Sequence, residues 1–309
     1  MATISIAAAQ GFSNPAIPDR LQPIHLPADQ FRQVLPVWGV SGWKVRLNAA
    51  ESSDLASYAT TVGATGTAVS AALPTFSVLE GKMSHLAAIL EADSVLGDRY
   101  GSGNRLLRHL VKLKTLAVLS LWQRLLIAGD STNAGEFDGL KKLVASGGTS
   151  FDAGTYGGVA NKVNPGELER CAAMLSSRGN LDNRYFVMNA VAFGHLAQNN
   201  YKTQIRMQDH PLLGTVPVIS GVPVLLDNWI PTNEGAGSNQ TRIYAVLIGP
   251  PAGLVGLVPK ARVGREVQVR GSNLVEATDR QIFTVSFVGG LLAMDPDAVA
   301  CIASIIPTS

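Results

Sequence analysis

The stretch Asn104–Asp130, NRLLRHLVKLKTLAVLSLWQRLLIAGD, decides how the rest of this chain is read. Helical through Ala128, it would span ~38 Å at about 1.5 Å per residue, against a usual globular helix of ~11–12 residues. A rod of that length sets the dimensions of a domain. Leu106, Leu110, Leu113, Ala117 and Leu121 are spaced to stack along one side of it. Arg105, Arg108, His109, Lys112 and Thr115 share the opposite stripe in the first half. From Leu116 onward the apolar residues run nearly all round, which predicts a second half enclosed by other elements. Asn104 is placed to cap the start, and Gly129 offers the left-handed conformation that ends many helices. Six basic residues between Arg99 and Arg124 exclude a membrane span, since each would cost roughly 2.5–3.5 kcal/mol at a bilayer centre.

The 309 residues are enough for two modest domains or one large one. Only 16% are charged and 46% are hydrophobic, where about 25% charged is usual. A surface largely covered by partner subunits explains that composition, and so does a large core. A net charge of +2 argues against a protein that holds nucleic acid mainly by neutralising phosphates, while leaving room for a local basic patch. Cys171 and Cys301 are too few for a disulfide framework; they read as buried thiols, each in an apolar helical context, in a reducing cytoplasm. MATISIAAAQGF has neither the basic region nor the apolar run of a signal peptide, so synthesis in the cytoplasm is expected. The Asn239-Gln240-Thr241 sequon then has no consequence.

Pro15, Pro18, Pro23, Pro27 and Pro36 preclude a long helix over residues 1–36 and favour an extended strip. Ile17, Leu21, Ile24, Leu26, Phe31, Val34, Leu35 and Trp38 give that strip more apolar side chains than a solvated tail needs, so it reads as an arm laid across a neighbour. WKVRLNA and TFSVLEG read as strands, and the small-residue stretch between them as a long projecting hairpin. SHLAAILEADSVL is short helix or extended chain. After the long helix, GDSTNAGEFDGLKKLV is a polar loop followed by a short strand or turn, and SGGTSFDAGTYGG is another loop. PGELERCAAMLSSRG has the proline start and acidic first turn of a helix. RYFVMNA is a strand and VAFGHLAQN a helix. TVPVISGVPVLLDNWIP is a pair of β segments, followed by strands in TRIYAVLIG, GLVGLVPK, EVQVRG and QIFTVSFVGG. DPDAVACIASII is a final short helix. The class is α+β, without β-α-β alternation.

Little in this pattern asks for catalysis. His25, His85, His109, His195 and His210 lie far apart and lack partners at metal-ligand spacing. VGATGTAVS lacks the spacing and lysine of a phosphate loop, and there is no Gly-x-Ser-x-Gly elbow or dinucleotide fingerprint. Gly101-Ser102-Gly103 reads as cap and hinge more readily than as an anion site. No cofactor and no metal are expected.

The order of short motifs is more specific than any of them singly. A strand begins at Thr75-Phe76 and reaches Glu91-Ala92-Asp93-Ser94; the long helix ends in Leu126-Ile127-Ala128-Gly129-Asp130; a polar loop leads to Gly139-Leu140. Tyr185-Phe186-Val187-Met188-Asn189 precedes a helix, followed by Gly221-Val222-Pro223-Val224 and, near the end, Met294-Asp295-Pro296-Asp297-Ala298-Val299. Together these resemble the major capsid proteins of tailed bacteriophages, of the Hong Kong 97-type fold shared with encapsulins. The resemblance implies an arm over 1–37, a peripheral (P) domain built from 38–45, 75–138 and 259–289 with residues 104–128 as its spine helix, an extended loop over 46–74, and an axial (A) domain over 139–258 with the return segment 290–309.

Two departures bear on assembly. Some members carry a long, cleaved scaffolding region before the arm, whereas here the arm starts almost at Met1; internal scaffolding would then be a separate protein, absent or already removed. Some join subunits through a lysine of the extended loop, and no lysine lies between Arg46 and Lys82. Denaturing gels of mature particles are therefore expected to show single chains and no covalent ladder.

The implied role is structural, in an icosahedral shell around the double-stranded DNA of a tailed phage. Its implied partners are copies of itself in hexamers and pentamers, DNA by weak contacts, and scaffolding, portal or decoration proteins, with no membrane. Arg99, Arg105, Arg108, Lys112 and Lys114 are candidates for contact with DNA on the inner surface, or equally for ion pairs with neighbouring subunits. Ile17, Leu21, Ile24, Leu26 and Phe31 are the candidate arm contacts. A cellular encapsulin is the alternative, disfavoured by the proline-rich arm; a soluble α+β enzyme would form only a small oligomer.

Overall fold

The computed structural model describes residues 30–50, 76–93, 103–156, 159–175, 183–198, 205–234, 239–263, 267–275 and 280–306. They form, in order, α1 (Gln30–Val34), β1 (Val37–Val40), β2 (Lys44–Ala50), β3 (Phe76–Asp93), α2 (Gly103–Ala128), α3 (Leu140–Ser146), β4 (Thr149–Asp152), α4 (Pro165–Ala173), β5 (Arg184–Met188) and α5 (Ala190–Gln198). Then follow β6 (Ile205–His210), β7 (Gly214–Ile219), β8 (Val222–Leu226), β9 (Thr241–Leu247), β10 (Leu254–Pro259), β11 (Val267–Val275), β12 (Arg280–Ala293) and β13 (Val299–Ile305).

Two sheets organise these elements. The first has six strands in the order β1-β10-β12-β3-β2, with β11 also on β12. Its long axis is the pairing of β3 with β12, antiparallel from Met83↔Gly290 to Asp93↔Arg280. The segment SHLAAILEAD is thus extended throughout. Strand β2 runs back along the other half of β3 from Lys44↔Lys82 to Ala50↔Phe76, forming the stem of a hairpin whose residues 51–75 lie outside the described ones. The second sheet has seven strands, β4-β13-β9-β5-β8-β7-β6.

Helix α2 lies on the inner face of the first sheet. Strand periodicity puts Leu86 and Ala88 on that face with Phe287 and Val285 opposite them, and they meet Val118, Trp122, Leu125 and Leu126 of the helix. The rings of Trp122 and Phe287 are 4.7 Å apart. The same core continues onto the second sheet through Tyr185, Val187, Tyr244 and Val246. On the far side of that sheet, Phe186, Met188, Ile243 and Ala245 are covered by Leu168, Cys171 and Ala172 of α4 and Ala192 and Leu196 of α5.

The long helix is present with almost the expected bounds, but its faces differ from the sequence expectation. Val118, Trp122, Gln123, Leu125, Leu126 and Ile127 are its buried positions, while Ala117, Leu121, Arg124 and Ala128 are exposed. The leucine stripe that ends at Leu121 therefore points away from the helix's own core, and the second half is not enclosed all round. Both stripes have helical spacing; only the partner sheet, absent from periodicity, chooses between them. Thr115, expected on the basic stripe, returns its hydroxyl to the Val111 carbonyl at 2.9 Å.

Three further expectations change. LKKLVAS is helical, with Leu140 and Val144 buried one turn apart. TSFD, within the segment expected to be a loop, is an edge strand parallel to β13. The C-terminal segment is a single 3₁₀ turn at Pro296–Ala298 followed by strand β13, so Cys301 is in a strand. Val299 and Cys301 face one core and Ala300 and Ile302 the other. A strand buried on both faces is apolar without alternation, and such a run cannot be told from a buried helix by its pattern. Strand β6, for which the sequence reading offered no element, pairs with β7 over its whole length.

Candidate functional site

The Gly-Asp and Gly-Leu pairs that flank the loop after α2 have a shared physical cause. The Gly139 N–H donates to the Gly129 carbonyl at 2.9 Å, and the Gly129 N–H to that of Leu125 at 2.9 Å. A Cβ on Gly129 would lie 2.4 Å from the Phe137 carbonyl oxygen, and one on Gly139 2.4 Å from that of Leu125. Gly129 is not in the left-handed region, contrary to the sequence expectation; it is glycine because two backbones touch there. The loop closes on itself through side chains. Asp130 accepts from the Thr132 N–H at 2.9 Å and from its hydroxyl at 2.8 Å, Ser131 N–H donates to Asp138 at 2.8 Å, and Asp130 N–H to Glu136 at 3.1 Å. The Thr132 backbone donor, then its hydroxyl and Lys142, hold the Asp130 carboxyl below the ordinary carboxylate range.

The other motifs quoted from the sequence are also backbone devices. Asn189 is buried, accepts from the Ala192 N–H at 2.7 Å to start α5, and donates to the Ile230 carbonyl and the Thr241 hydroxyl. Ser220 and Gly221, both at positive φ, make the tight turn from β7 to β8. Asp295 accepts from the Asp297 N–H at 3.0 Å and so caps the turn into β13.

The root of the arm is fixed to its own subunit. Phe31 is fully buried and Leu35 nearly so, in the core shared by the two sheets. Phe31, read as a contact to a neighbour, thus has no surface left to offer one. Gln30 accepts from the Leu226 N–H at 2.8 Å, and Arg32 lies 5.3 Å from the centre of the Trp122 ring. Ile17, Leu21, Ile24 and Leu26 lie outside the described residues. At the hairpin stem, Glu80 meets Lys44 at 2.9 Å and Arg46 at 3.4 Å, and the Lys44 hydrogen bond leads in holding its carboxyl low.

Of the basic candidates, Lys112 is exposed and Lys114 half-buried. Helical spacing puts Arg105, Arg108 and Lys112 on one flank of α2 and Lys114 on the other. The side chains of Arg105 and Arg108, and Arg99 altogether, lie outside the described ones. Lys112 and Lys114, the two whose side chains are described, therefore lie on different sides of α2.

Two buried or partly buried carboxylates escaped the sequence reading. Glu167 is fully buried, and its oxygens accept from the backbone N–H groups of Gly154, Tyr156 and Asn164. Glu234 accepts from Lys141 and Arg242, tying α3 to β9. Burial alone would raise the Glu234 carboxyl; the hydrogen bonds from Lys141 and Arg242 outweigh it and hold it low. A lowered carboxylate contributes stability above its unfolded pKa of about 4.3 and loses it as pH falls through the folded value. Glu234→Gln should therefore unfold earlier than the parent at pH 6, by about 1–3 kcal/mol. The gap should close in acid, as thermal unfolding at pH 6 and pH 3 would read.

Among the described residues there is no group of three or more His, Cys, Asp or Glu able to hold a metal ion. No helix among them is long and apolar enough to cross a membrane. Both cysteines are free and buried; burial pushes the Cys301 thiol up to about 12 and Cys171 higher still, so neither is a nucleophile at neutral pH.

No protein-family model and no curated protein matches the chain. Solved structures do. The holo-SrpI encapsulin complex of Synechococcus elongatus PCC 7942 matches with a TM-score of 0.70 at 16% identity, over 100% of this chain and 98% of that one. The capsid of cyanophage A-1(L) matches with a TM-score of 0.62 at 14% identity, over 93% and 95%. The structure from Mycobacterium phage Bobi matches with a TM-score of 0.59 at 11% identity, over 100% of both chains. The chain has the α+β fold of these phage capsid and encapsulin subunits, the Hong Kong 97-type fold.

Proposed function

We propose that this chain is the major capsid protein of a tailed phage, assembling in many copies into an icosahedral shell around double-stranded DNA. The observation that carries the proposal is the end-to-end likeness to shell subunits of both phage and encapsulin type. A hairpin stem leading away from the sheet agrees with work done by interfaces. We assign the peripheral role to the first sheet with α2, the extended loop to the β2–β3 hairpin, and the axial role to the second sheet with α3, α4 and α5. In this assignment β10 belongs to the peripheral part, because it pairs with β1 and β12.

The encapsulin reading is the alternative, and the TM-score of 0.70 to an encapsulin subunit favours it. Electron microscopy of particles purified from the producing cells, with extraction of their contents, separates the readings. Shells holding long double-stranded DNA are expected. Shells holding a protein cargo and no DNA would make the chain an encapsulin, and a uniform small oligomer would sink both.

Lys112, with Arg108 one turn before it, is proposed to lie on the inner surface and to touch DNA weakly. Reversing both charges should leave shell yield unchanged and lower DNA retention, the loss growing with ionic strength. Loss of assembly with retention intact would place these residues at a subunit interface instead.

A further inference from the structure

The two outer strands of the second sheet carry complementary surfaces. Strand β6 pairs only with β7, and β4 only with β13, so each leaves one backbone edge open among the described residues. An open edge is normally guarded by proline, lysine or a bulge, and is otherwise a site for another chain. Beside β6 is a groove of about 510 Å³ lined by Arg206, Met207, Gln208, Val218, Ser220 and Glu169. Met207 is 64% exposed there. Beside β4 stands a knob instead: Val159 is 66% exposed and Tyr156 40% exposed.

Helix α4 holds both surfaces in shape. Its Glu167 carboxylate fixes the backbone of Gly154 and Tyr156, and its Arg170 guanidinium lies 3.8 Å from the centre of the Tyr156 ring. Toward the other edge its Glu169 accepts from the Ser220 hydroxyl at 3.0 Å, which sets the wall of the groove. Each surface carries charges of both signs, Asp152, Lys162 and Arg170 at the knob, Arg206, Asp209 and Glu169 at the groove. Arg206 has no ion pair among the described residues. Held shapes lose little freedom on docking.

We propose that the knob at β4 of one copy seats in the groove at β6 of the next, with Val159 and Tyr156 against Met207, Asp152 facing Arg206, and Arg170 facing Glu169. Knob and groove flank the first and last strands of the same sheet, so the contact is head-to-tail, and head-to-tail contacts build rings when the rotation between copies closes. This inference rests on the shell reading and names the surface through which copies join in its rings.

The test is a cysteine pair, Val159→Cys with Met207→Cys, oxidised in assembled particles and run on a non-reducing gel. The native Cys171 and Cys301 are buried and give no background. The expected result is a ladder of cross-linked chains that stops at five or six copies, absent from either single variant. A band at two copies from Val159→Cys alone would show that the knob meets itself and overturn the proposal. Intact particles with no ladder overturn it as well. Should the double variant fail to assemble, carbodiimide coupling of parent particles made from isotopically mixed chains replaces it; an inter-chain link between Lys162 and Asp209 is expected, and its absence is fatal. A parent chain that forms neither particles nor rings overturns the shell reading and this one together.

Discussion

Gly139→Ala should leave the subunit unable to assemble, because the added methyl group has no space to enter. Its Cβ would sit 2.4 Å from the Leu125 carbonyl oxygen, 2.8 Å from the Gly129 nitrogen and 3.0 Å from the Ile127 carbonyl carbon. All three are backbone atoms, two in the last turn of α2 and one in the residue that follows it, so no rotamer change can relieve them. The loop must move off the helix and give up the Gly139-to-Gly129 hydrogen bond. Overpacking of this kind costs about 3 kcal/mol, equivalent to a fall of about 6–9 °C in the unfolding midpoint at roughly 2–3 °C per kcal/mol. Shell yield should fall further than subunit stability, since Leu140, the next residue, is fully buried and anchors α3 against the common core. Gly135→Ala, four residues earlier in the same loop, is the control. Gly135 is at φ +84 with nothing within 4 Å of its would-be Cβ, so the cost is backbone strain alone, about 1 kcal/mol, and asparagine should relieve part of it. Asparagine at 139 should do no better than alanine. Equal effects at 135 and 139 would remove the close-approach explanation.

The same glycines show where sequence reading reaches and where it stops. The long helix, the hairpin stem and the strand Arg184–Met188 were legible, because length, flanking turn residues and apolar runs are local properties of the chain. The order of motifs pointed to the fold, yet the reason for Gly129 was misjudged: a left-handed turn and a backbone contact demand the same residue. Which side of α2 is buried could not be read, since Leu113-Ala117-Leu121 and Val118-Trp122-Leu125 satisfy the same period and the choice belongs to the sheet beneath. Strand β13 was taken for a helix for a related reason, because a strand with core on both faces loses its alternation. Phe31 looked like part of an outward arm because proline density describes backbone, not destination. Nothing in the sequence marked Glu167 as buried; the signal available was Asn164-Pro165-Gly166-Glu167, a capping box with proline at its start.

Glu167→Ala should be the most damaging single change in the second sheet's surroundings. The residue sits in the first turn of α4, where its carboxylate and the Asn164 side chain satisfy each other's backbone donors. Its role extends beyond the cap. One oxygen accepts from Gly154 at 2.8 Å and Tyr156 at 3.2 Å, and the other from Asn164 at 3.2 Å. Removal leaves three backbone donors, each worth about 1–3 kcal/mol if stranded. Tyr156 is exposed enough for water to reach its N–H, so the total should fall short of the sum, at about 2–4 kcal/mol. Glu167→Gln is the sharper test. Both oxygens now accept from N–H groups, so an amide nitrogen in either position sets donor against donor. Glutamine should therefore recover the packing but less than half of the stability, measured by thermal unfolding. It should also open the segment between Asp152 and Asn164 to limited proteolysis while the α5 region stays protected. Full rescue by glutamine would mean that the carboxylate fills space rather than holding the loop. Because that loop presents Val159 and Tyr156, Glu167→Gln should weaken ring formation more than its stability cost alone accounts for. Stabilising the subunit elsewhere should restore its melting point without restoring its rings.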